Sequence, residues 1–213
     1  MLDDLFLGIR SLLLPSSCAG CRFPLTGEES SPLCSDCFKQ LPWRSSTRFD
    51  PMISPFRYEG IAKELIAQLK YHGRLSVAPF LGQILGETVL QRLGADPADA
   101  VVPVPLHPVR LRERTFNQAQ LLAQQLANNL HLPCRPDLLI RRKPTRPQSD
   151  LSRQERQRNV AEAFSIQPDP LIRSMRLLLV DDVFTTGATA SVCAKLLKEA
   201  GAASVTVVTL AHG

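Results

Sequence analysis

The sequence contains no apolar run approaching the ~18 residues that a membrane-spanning helix needs, no internal repeat and no low-complexity segment. These absences argue against a membrane-spanning helix and a repeat array, and the 44% apolar and 21% charged composition excludes disordered and collagen-like classes. The most apolar N-terminal stretch, Leu5 to Pro15, is short and split by Arg10, and Asp3 and Asp4 stand where a secretory signal would carry positive charge. It reads as a small amphipathic helix packed on the body, with membrane contact as the alternative. A cytoplasmic protein is therefore expected, and in that compartment six cysteines argue against disulfides. The excess of 25 basic over 20 acidic residues, a net +5, suits an anionic ligand or nucleic acid and proves neither.

Four of the six cysteines are paired in spacing. Cys18 and Cys21 form one CxxC unit, and Cys34 and Cys37 form a second after an interval of 12 residues. A two-residue spacer lets both thiolates of a knuckle face one ion, so the pattern predicts a structural Zn2+ site; four thiolates close the tetrahedron and leave no position for chemistry. Two disulfides or a redox CxxC are the alternatives. Pro24, Gly27 and Pro32 between the knuckles suit a turn-rich ribbon. Residues 1–45 are thus expected to form an N-terminal helix and zinc-binding ribbon, and residues 50–213 a second unit, joined by a proline-containing linker over Pro42–Ser54. Cys193 falls on the apolar side of a predicted helix and reads as core.

From about residue 50 onward, short apolar runs alternate with helical periodicity, which predicts a mainly parallel sheet with helices on both faces. Phe56–Tyr58 reads as a strand. Helices are predicted from Ile61 to Leu69 and from Pro79 to Leu93. Ala100–Val104 reads as a strand ended by its prolines, and a loop carrying Arg110, Arg112 and Arg114 leads to a helix starting near Phe116. Leu138–Ile140 and Ala163–Ile166 are short strands. Between them lies the most basic stretch, Arg141–Asn159, where Ser152 and Glu155 fit a capping box. Loops of that length are often active-site lids. It contains no Phe, Tyr or Trp, which weakens a role in stacking single-stranded nucleic acid. Trp43, Phe49, Phe56 and Tyr58 could supply stacking elsewhere, against core packing as the alternative.

The stretch Leu177–Thr189 carries the chemistry. Four apolar residues suit a buried parallel strand; Asp181 and Asp182 follow, then small hydroxyl residues around Gly187, then helical spacing through Leu197. In an open α/β sheet this junction lies at the carboxyl ends of the strands, where ligands bind, and free N–H groups at a helix start favour an anion. The loops after Val104, Ile140 and Val180 should meet at that edge, implying a ligand with phosphate plus hydroxyls or a bound divalent ion.

Val180–Thr189 resembles the phosphoribosyl pyrophosphate (PRPP) motif of type I phosphoribosyltransferases. The whole chain resembles the ComF family (ComFC and GntX-like proteins): a four-cysteine zinc module, then Pro103–Leu106, Arg114–Gln118, the basic segment Arg142–Asn159 and the PRPP loop. The resemblance implies a type I phosphoribosyltransferase-like parallel sheet with helices on both faces, plus the zinc ribbon. By the family's pattern, Asp181 and Asp182 would contact the ribose 2′ and 3′ hydroxyls. Thr185, Thr186, Gly187, Ala188 and Thr189 would wrap the 5′-phosphate, and the turn Val104, Pro105, Leu106 and His107 would form the pyrophosphate loop, with Mg2+ accompanying PRPP. Arg153 and Arg156 would neutralise a departing pyrophosphate electrostatically. Members are implicated in natural transformation and DNA utilisation, which implies single-stranded DNA or DNA-uptake and recombination proteins as partners. The alternative is an active phosphoribosyltransferase acting on an unidentified base in nucleotide salvage. Two departures stand out: Thr115 replaces the family's glycine, and Phe184 is bulky where aliphatics are commoner.

Overall fold

The computed structural model describes residues 17–25, 31–44, 52–71, 73–142 and 163–213. The predicted N-terminal helix, Phe49, the capping box at Ser152, and Arg153 and Arg156 lie outside the described residues.

In chain order the described elements are α1 (Ser35–Lys39), β1 (Met52–Ile53), β2 (Phe56–Arg57), α2 (Gly60–Tyr71), a 3-10 turn (Leu75–Val77) and α3 (Ala78–Leu93). Then come β3 (Ala100–Pro103), α4 (Pro108–Arg114), α5 (Gln118–Leu130), β4 (Leu139–Arg141), β5 (Phe164–Ile166), a 3-10 turn (Pro170–Ile172), β6 (Arg176–Phe184), α6 (Ala188–Glu199) and β7 (Ser204–His212). The main sheet is parallel throughout, ordered β3–β6–β7–β1, and β2 pairs further along β7.

β6 and β7 pair from Arg176 and Ser204 to Phe184 and His212. Leu177 to Val180 are buried on both faces, as the continuous apolar run requires. Alternation then assigns faces. Leu178 and Val180 pack with Leu65, Leu69, Leu85 and Leu122 of α2, α3 and α5. Leu177 and Leu179 pack on the other side with Leu138, Leu139, Cys193 and Leu197. Burying each such leucine fully contributes about 1.5–3 kcal/mol, so the two faces hold the strand firmly at the centre. Cys193 is core, as its spacing implied.

Four expectations are revised. β6 does not stop before the carboxylates but runs through Asp181 and Asp182 to Phe184, because β7 pairs alongside it to His212. β4 and β5 are not strands of the main sheet; they pair with each other, antiparallel, from Leu139 with Ile166 to Arg141 with Phe164. The segment read as a linker contains β1, whose two residues are too few to show a period, and whose pairing with Val207 and Val208 is supplied from β7. The three arginines after β3 stand on α4 and not on a loop. His107 caps that helix, its Nδ1 accepting from the Val109 N–H at 3.2 Å, and Pro108 opens it.

The cysteine segment docks on α2. Gln68 Nε2 donates to the Ala19 carbonyl at 2.6 Å, and Arg74 donates to the Ser17 carbonyl. Cys18, Ala19, Leu33, Cys37 and Leu41 belong to the same apolar cluster as Leu65 and Leu69. Among the described residues, no helix is long and apolar enough to cross a membrane.

Candidate functional site

The carboxyl edge of the sheet is built by β3 and β6 side by side. The Val104 N–H bonds to the Val180 carbonyl at 2.8 Å, so the Val104–His107 turn starts level with the acidic pair. Asn117 secures it from below. As N-cap of α5 it accepts from the Ala119 N–H at 3.1 Å, while its Nδ2 donates to the Val104 carbonyl at 3.0 Å. Val104 and His107 are buried, and Pro105 and Leu106 half-buried. His107 is thus a capping residue of this turn, with its imidazole nitrogen turned to the backbone.

Beyond β6 the chain turns at Gly187, which adopts φ +72° and opens α6. Two physical requirements fix glycine there. The left-handed conformation disfavours any side chain, and a Cβ would lie 2.4 Å from Phe184 Cζ, whose ring packs beneath the turn. Phe184 therefore supports the loop from within, and it also contacts His212, with ring centroids 5.6 Å apart. Gly187 provides no side-chain cap, and the N–H groups of Ala188, Thr189 and Ala190 begin the helix without intrahelical acceptors. The Ser191 N–H closes the first turn on the Gly187 carbonyl at 2.8 Å.

Asp181, Val183, Phe184, Thr185 to Ala190 and Thr209 line an open depression of about 150 Å³. Small-molecule sites run roughly 300–1,000 Å³, so this depression has the volume of a subsite and not of a whole ligand site. It joins Thr185, Thr186, Gly187, Ala188 and Thr189 with one of the two carboxylates, whereas Val104, Pro105, Leu106 and His107 do not line it.

The second carboxylate is elsewhere. Alternation along β6 sends Asp181 to the face of Leu177 and Leu179, and Asp182 to the face of Leu178 and Val180. Asp182 is 5% exposed, and its Oδ2 lies 2.9 Å from Lys70 Nζ of α2. The approach is an ion pair without the alignment of a hydrogen bond.

Asp181 is half-buried among protein groups. Burial first, and then the neighbouring Asp182 carboxylate, push its pKa up to about 7; the Asp182 N–H bonded to Asp181 Oδ1 at 2.8 Å, with Lys70 and Arg141, pulls the other way. Arg141, on β4, packs over the Phe164 ring at 5.1 Å. Burial lowers its own pKa, as does Arg110, against the opposing carboxylate of Asp181.

Lys70 and Thr209 were not singled out from sequence, and Asn117 and Arg141 entered only as members of the Arg114–Gln118 segment and the basic stretch Arg141–Asn159, without these roles. Only Asn117 had a local signal, an N-cap residue just before a helical apolar pattern. The partners of Lys70 and Arg141 come from distant elements, so no local pattern marks them.

At the N-terminal side, the sulfurs of Cys18, Cys21, Cys34 and Cys37 all lie within 4.8 Å of one another. A tetrahedron with Zn–S bonds of ~2.3 Å has edges of ~3.8 Å, and the Cys21 and Cys34 sulfurs are 3.8 Å apart. The four cysteines therefore could hold a metal ion such as zinc. Burial disfavours the Cys18 thiolate, but N–H donors from Cys34, Cys21 and Gly20 overcome it and bring its pKa down to about 6. Burial and the adjoining thiols push Cys37 up to about 12. Four thiolates cannot coexist at this spacing without a cation, which fits the donor set to a divalent metal. Gly20 lets the knuckle close, since a Cβ there would stand 2.7 Å from Cys37 Sγ.

Of the aromatic residues considered for stacking, Phe56 is core at 1% exposure, whereas Trp43 is 46% exposed and packs on it at 5.0 Å. Tyr58 is half-buried.

A model of the phosphoribosyl transferase domain matches residues 117–213, which include α5, β6, the Gly187 turn and β7. Similarity to curated proteins extends further. The chain is 32% identical over 210 residues to Competence protein F of Haemophilus influenzae, covering 92% of this chain and 90% of that protein. It is 34% identical over 197 residues to DNA utilization protein YhgH of Escherichia coli K12, covering 89% and 81%. It is 30% identical over 194 residues to Competence protein ComFC of Bacillus subtilis, covering 88% and 76%. With a transferase-type sheet edge, a four-cysteine cluster docked on α2, and similarity at this level along most of its length, the chain belongs to the ComF family.

Proposed function

We propose that this chain is a PRPP-binding protein of the ComF type that serves DNA uptake or DNA utilisation. One observation carries the ligand reading: the hydroxyl-rich Thr185–Thr189 turn opens a helix at the carboxyl edge of a parallel sheet and shares a depression with Asp181. In this reading a 5′-phosphate rests on the N–H groups at the start of α6, where the Ala188 N–H has only a long 3.5 Å contact with Thr186 Oγ1, and on the hydroxyls of Thr185, Thr186 and Thr189, because an anion suits a helix start and Gly187 leaves no side chain in the way. Asp181 accepts from a ribose hydroxyl. The Val104–His107 turn borders the pyrophosphate, which carries Mg2+, and Arg153 and Arg156 lend it positive charge. Asp182, which the family pattern would place on the second hydroxyl, serves instead through its pair with Lys70.

The metal of the cysteine module is Zn2+ in a structural role, since four thiolates leave no open coordination position. The DNA part of the reading comes from the printed names of the relatives, competence and DNA utilization. Single-stranded DNA, or the proteins that handle it, are the partners it implies.

Isothermal titration of the full-length, metal-loaded protein with Mg–PRPP tests the ligand. Saturable binding is expected, weakened by roughly tenfold or more in Asp181→Asn as a carboxylate–hydroxyl bond is lost. No heat and no competition at millimolar PRPP would sink the assignment. Pyrophosphate release in the presence of a panel of free bases then separates a transferase from a binder.

A further inference from the structure

Lys70 lies close to the C-terminal end of α2, its side chain 17% exposed, against an Asp182 side chain that is 7% exposed. A buried carboxylate requires a counter-charge, and on this face of the sheet the 2.9 Å contact with Lys70 provides it. The helix that delivers the lysine is itself fixed from the cysteine side. Two residues before Lys70, Gln68 donates from Nε2 to the carbonyl of Ala19, which sits between Cys18 and Cys21. Three residues after the helix, Arg74 reaches the Ser17 carbonyl. Leu65 and Leu69 share the apolar cluster of Cys18 and Cys37. Direct contacts therefore run from the cysteine cluster, along one helix, to the end of β6.

We propose that Lys70 is a positioning residue: its ammonium holds Asp182 on the α2 side of β6, so that the strand presents one carboxylate, Asp181, to the loop, and the cysteine module places that ammonium by holding α2. The inference rests on the ligand reading above and deepens it. It assigns ribose recognition at this edge to a single carboxylate beside a phosphate cradle.

The reason is electrostatic. Without Lys70, Asp182 is left as a buried charge with no partner, and its relief lies in turning towards solvent at the carboxyl edge. There it would set a second negative charge beside the cradle for an anion and disturb the short connection to Gly187. The Asp182 N–H already bonds to Asp181 Oδ1 at 2.8 Å, so a movement of Asp182 also moves the group that orients Asp181.

The test compares Mg–PRPP affinity of the full-length, metal-loaded protein with that of Lys70→Met and of Lys70→Met combined with Asp182→Asn, each checked for folding by circular dichroism. Lys70→Met is expected to weaken binding by roughly tenfold or more. Adding Asp182→Asn removes the stranded charge and should restore affinity to within about threefold of wild type. A Lys70→Met protein that binds as wild type overturns the inference. So does a double variant as weak as the single one, because the lysine would then act on the ligand or on the fold and not through Asp182. If Lys70→Met alone does not fold, the double variant decides by the same criterion. Failure of the wild-type protein to bind is a different result, and it overturns the ligand reading on which this inference stands.

Discussion

At the scale of single residues, Thr115 shows how a departure from the family pattern has a local physical meaning. It ends α4 in the left-handed conformation, with φ +65°, where a β-branched side chain is strained and glycine is not. Its hydroxyl donates to the Arg114 carbonyl at 2.6 Å, the one local compensation. Relief of the strain outweighs that exposed hydrogen bond and the added chain entropy of glycine, so Thr115→Gly should stabilise the fold by about 1 kcal/mol. A urea titration reads this directly; a midpoint that falls with unchanged slope would contradict it. Asp181 makes a prediction in pH. Burial and the Asp182 carboxylate raise its pKa from the ordinary 3.8 to about 7. A carboxyl raised on folding favours the native state in its neutral form, so its contribution is full below about pH 4 and is lost as pH rises through 7. Asp181→Asn should therefore gain in Tm over wild type on going from pH 5 to pH 8. Ligand binding runs in the opposite sense, because an ionised carboxylate accepts from a ribose hydroxyl more strongly than a neutral carboxyl does. Wild-type affinity for PRPP should rise through pH 7 more steeply than that of the Asn variant, which controls for titration of the phosphates. Parallel profiles for the two proteins would remove Asp181 from the site.

At the scale of elements, what could be read from the sequence follows the range of the interactions. β6, α6 and the turn between them were legible because the apolar run, the small hydroxyl residues and the helical spacing of Ala190, Cys193 and Leu197 are contiguous. The cysteine cluster was legible because its spacing is itself the ligand geometry. β1 was not, since Met52 and Ile53 become a strand only by pairing with Val207 and Val208. Nor was the separate β4–β5 pair, whose three-residue strands look the same in sequence whether they join the main sheet or each other. The divided fates of Asp181 and Asp182 were hidden for a subtler reason: alternation separates them only once β6 is known to continue past Val180. Helix α2 was legible as a helix from the spacing of Ile61, Leu65, Ile66 and Leu69, but nothing in its sequence marked it as the link between the two legible features. Gln68 is 6% exposed and donates from Nε2 to both Ala19 and Glu64. Replacing it with leucine keeps the bulk but leaves the Ala19 carbonyl without its donor, at a cost of about 1–3 kcal/mol. Chemical denaturation of Gln68→Leu should show that loss, together with weaker PRPP binding as Lys70 loses its fixed base. Stability equal to wild type would mean that the helix is held by its apolar contacts alone.

At the scale of the whole molecule, the cysteine module and the sheet unfold together or separately according to how their cores connect. The sequence suggested two units, 1–45 and 50–213. The packing argues for one cooperative body, because Cys18, Ala19, Leu33, Cys37 and Leu41 sit in the same apolar cluster as Leu65, Leu69, Leu85, Val180 and Val208. Stripping a metal from the cluster leaves Cys37, held up near 12 by burial and its neighbours, to take up a proton, while Cys18, lowered to about 6, keeps its charge; affinity for the ion should fall as pH is lowered for the same reason. The knuckles then lose the bond that closes them, and the surface they cover on α2 is opened to water. In differential scanning calorimetry the metal-loaded protein should melt in a single transition, and a chelator should move that transition to lower temperature without splitting it. Two separate endotherms in the loaded protein would show that the module folds on its own, and an unchanged Tm after verified metal removal would show that the cysteines contribute nothing to the body. A single lowered transition ties the metal to the carboxyl edge of the sheet. Loss of zinc should then weaken PRPP binding in proportion to the shift, although the two sites share no ligand and are linked through the helix that carries Gln68 and Lys70.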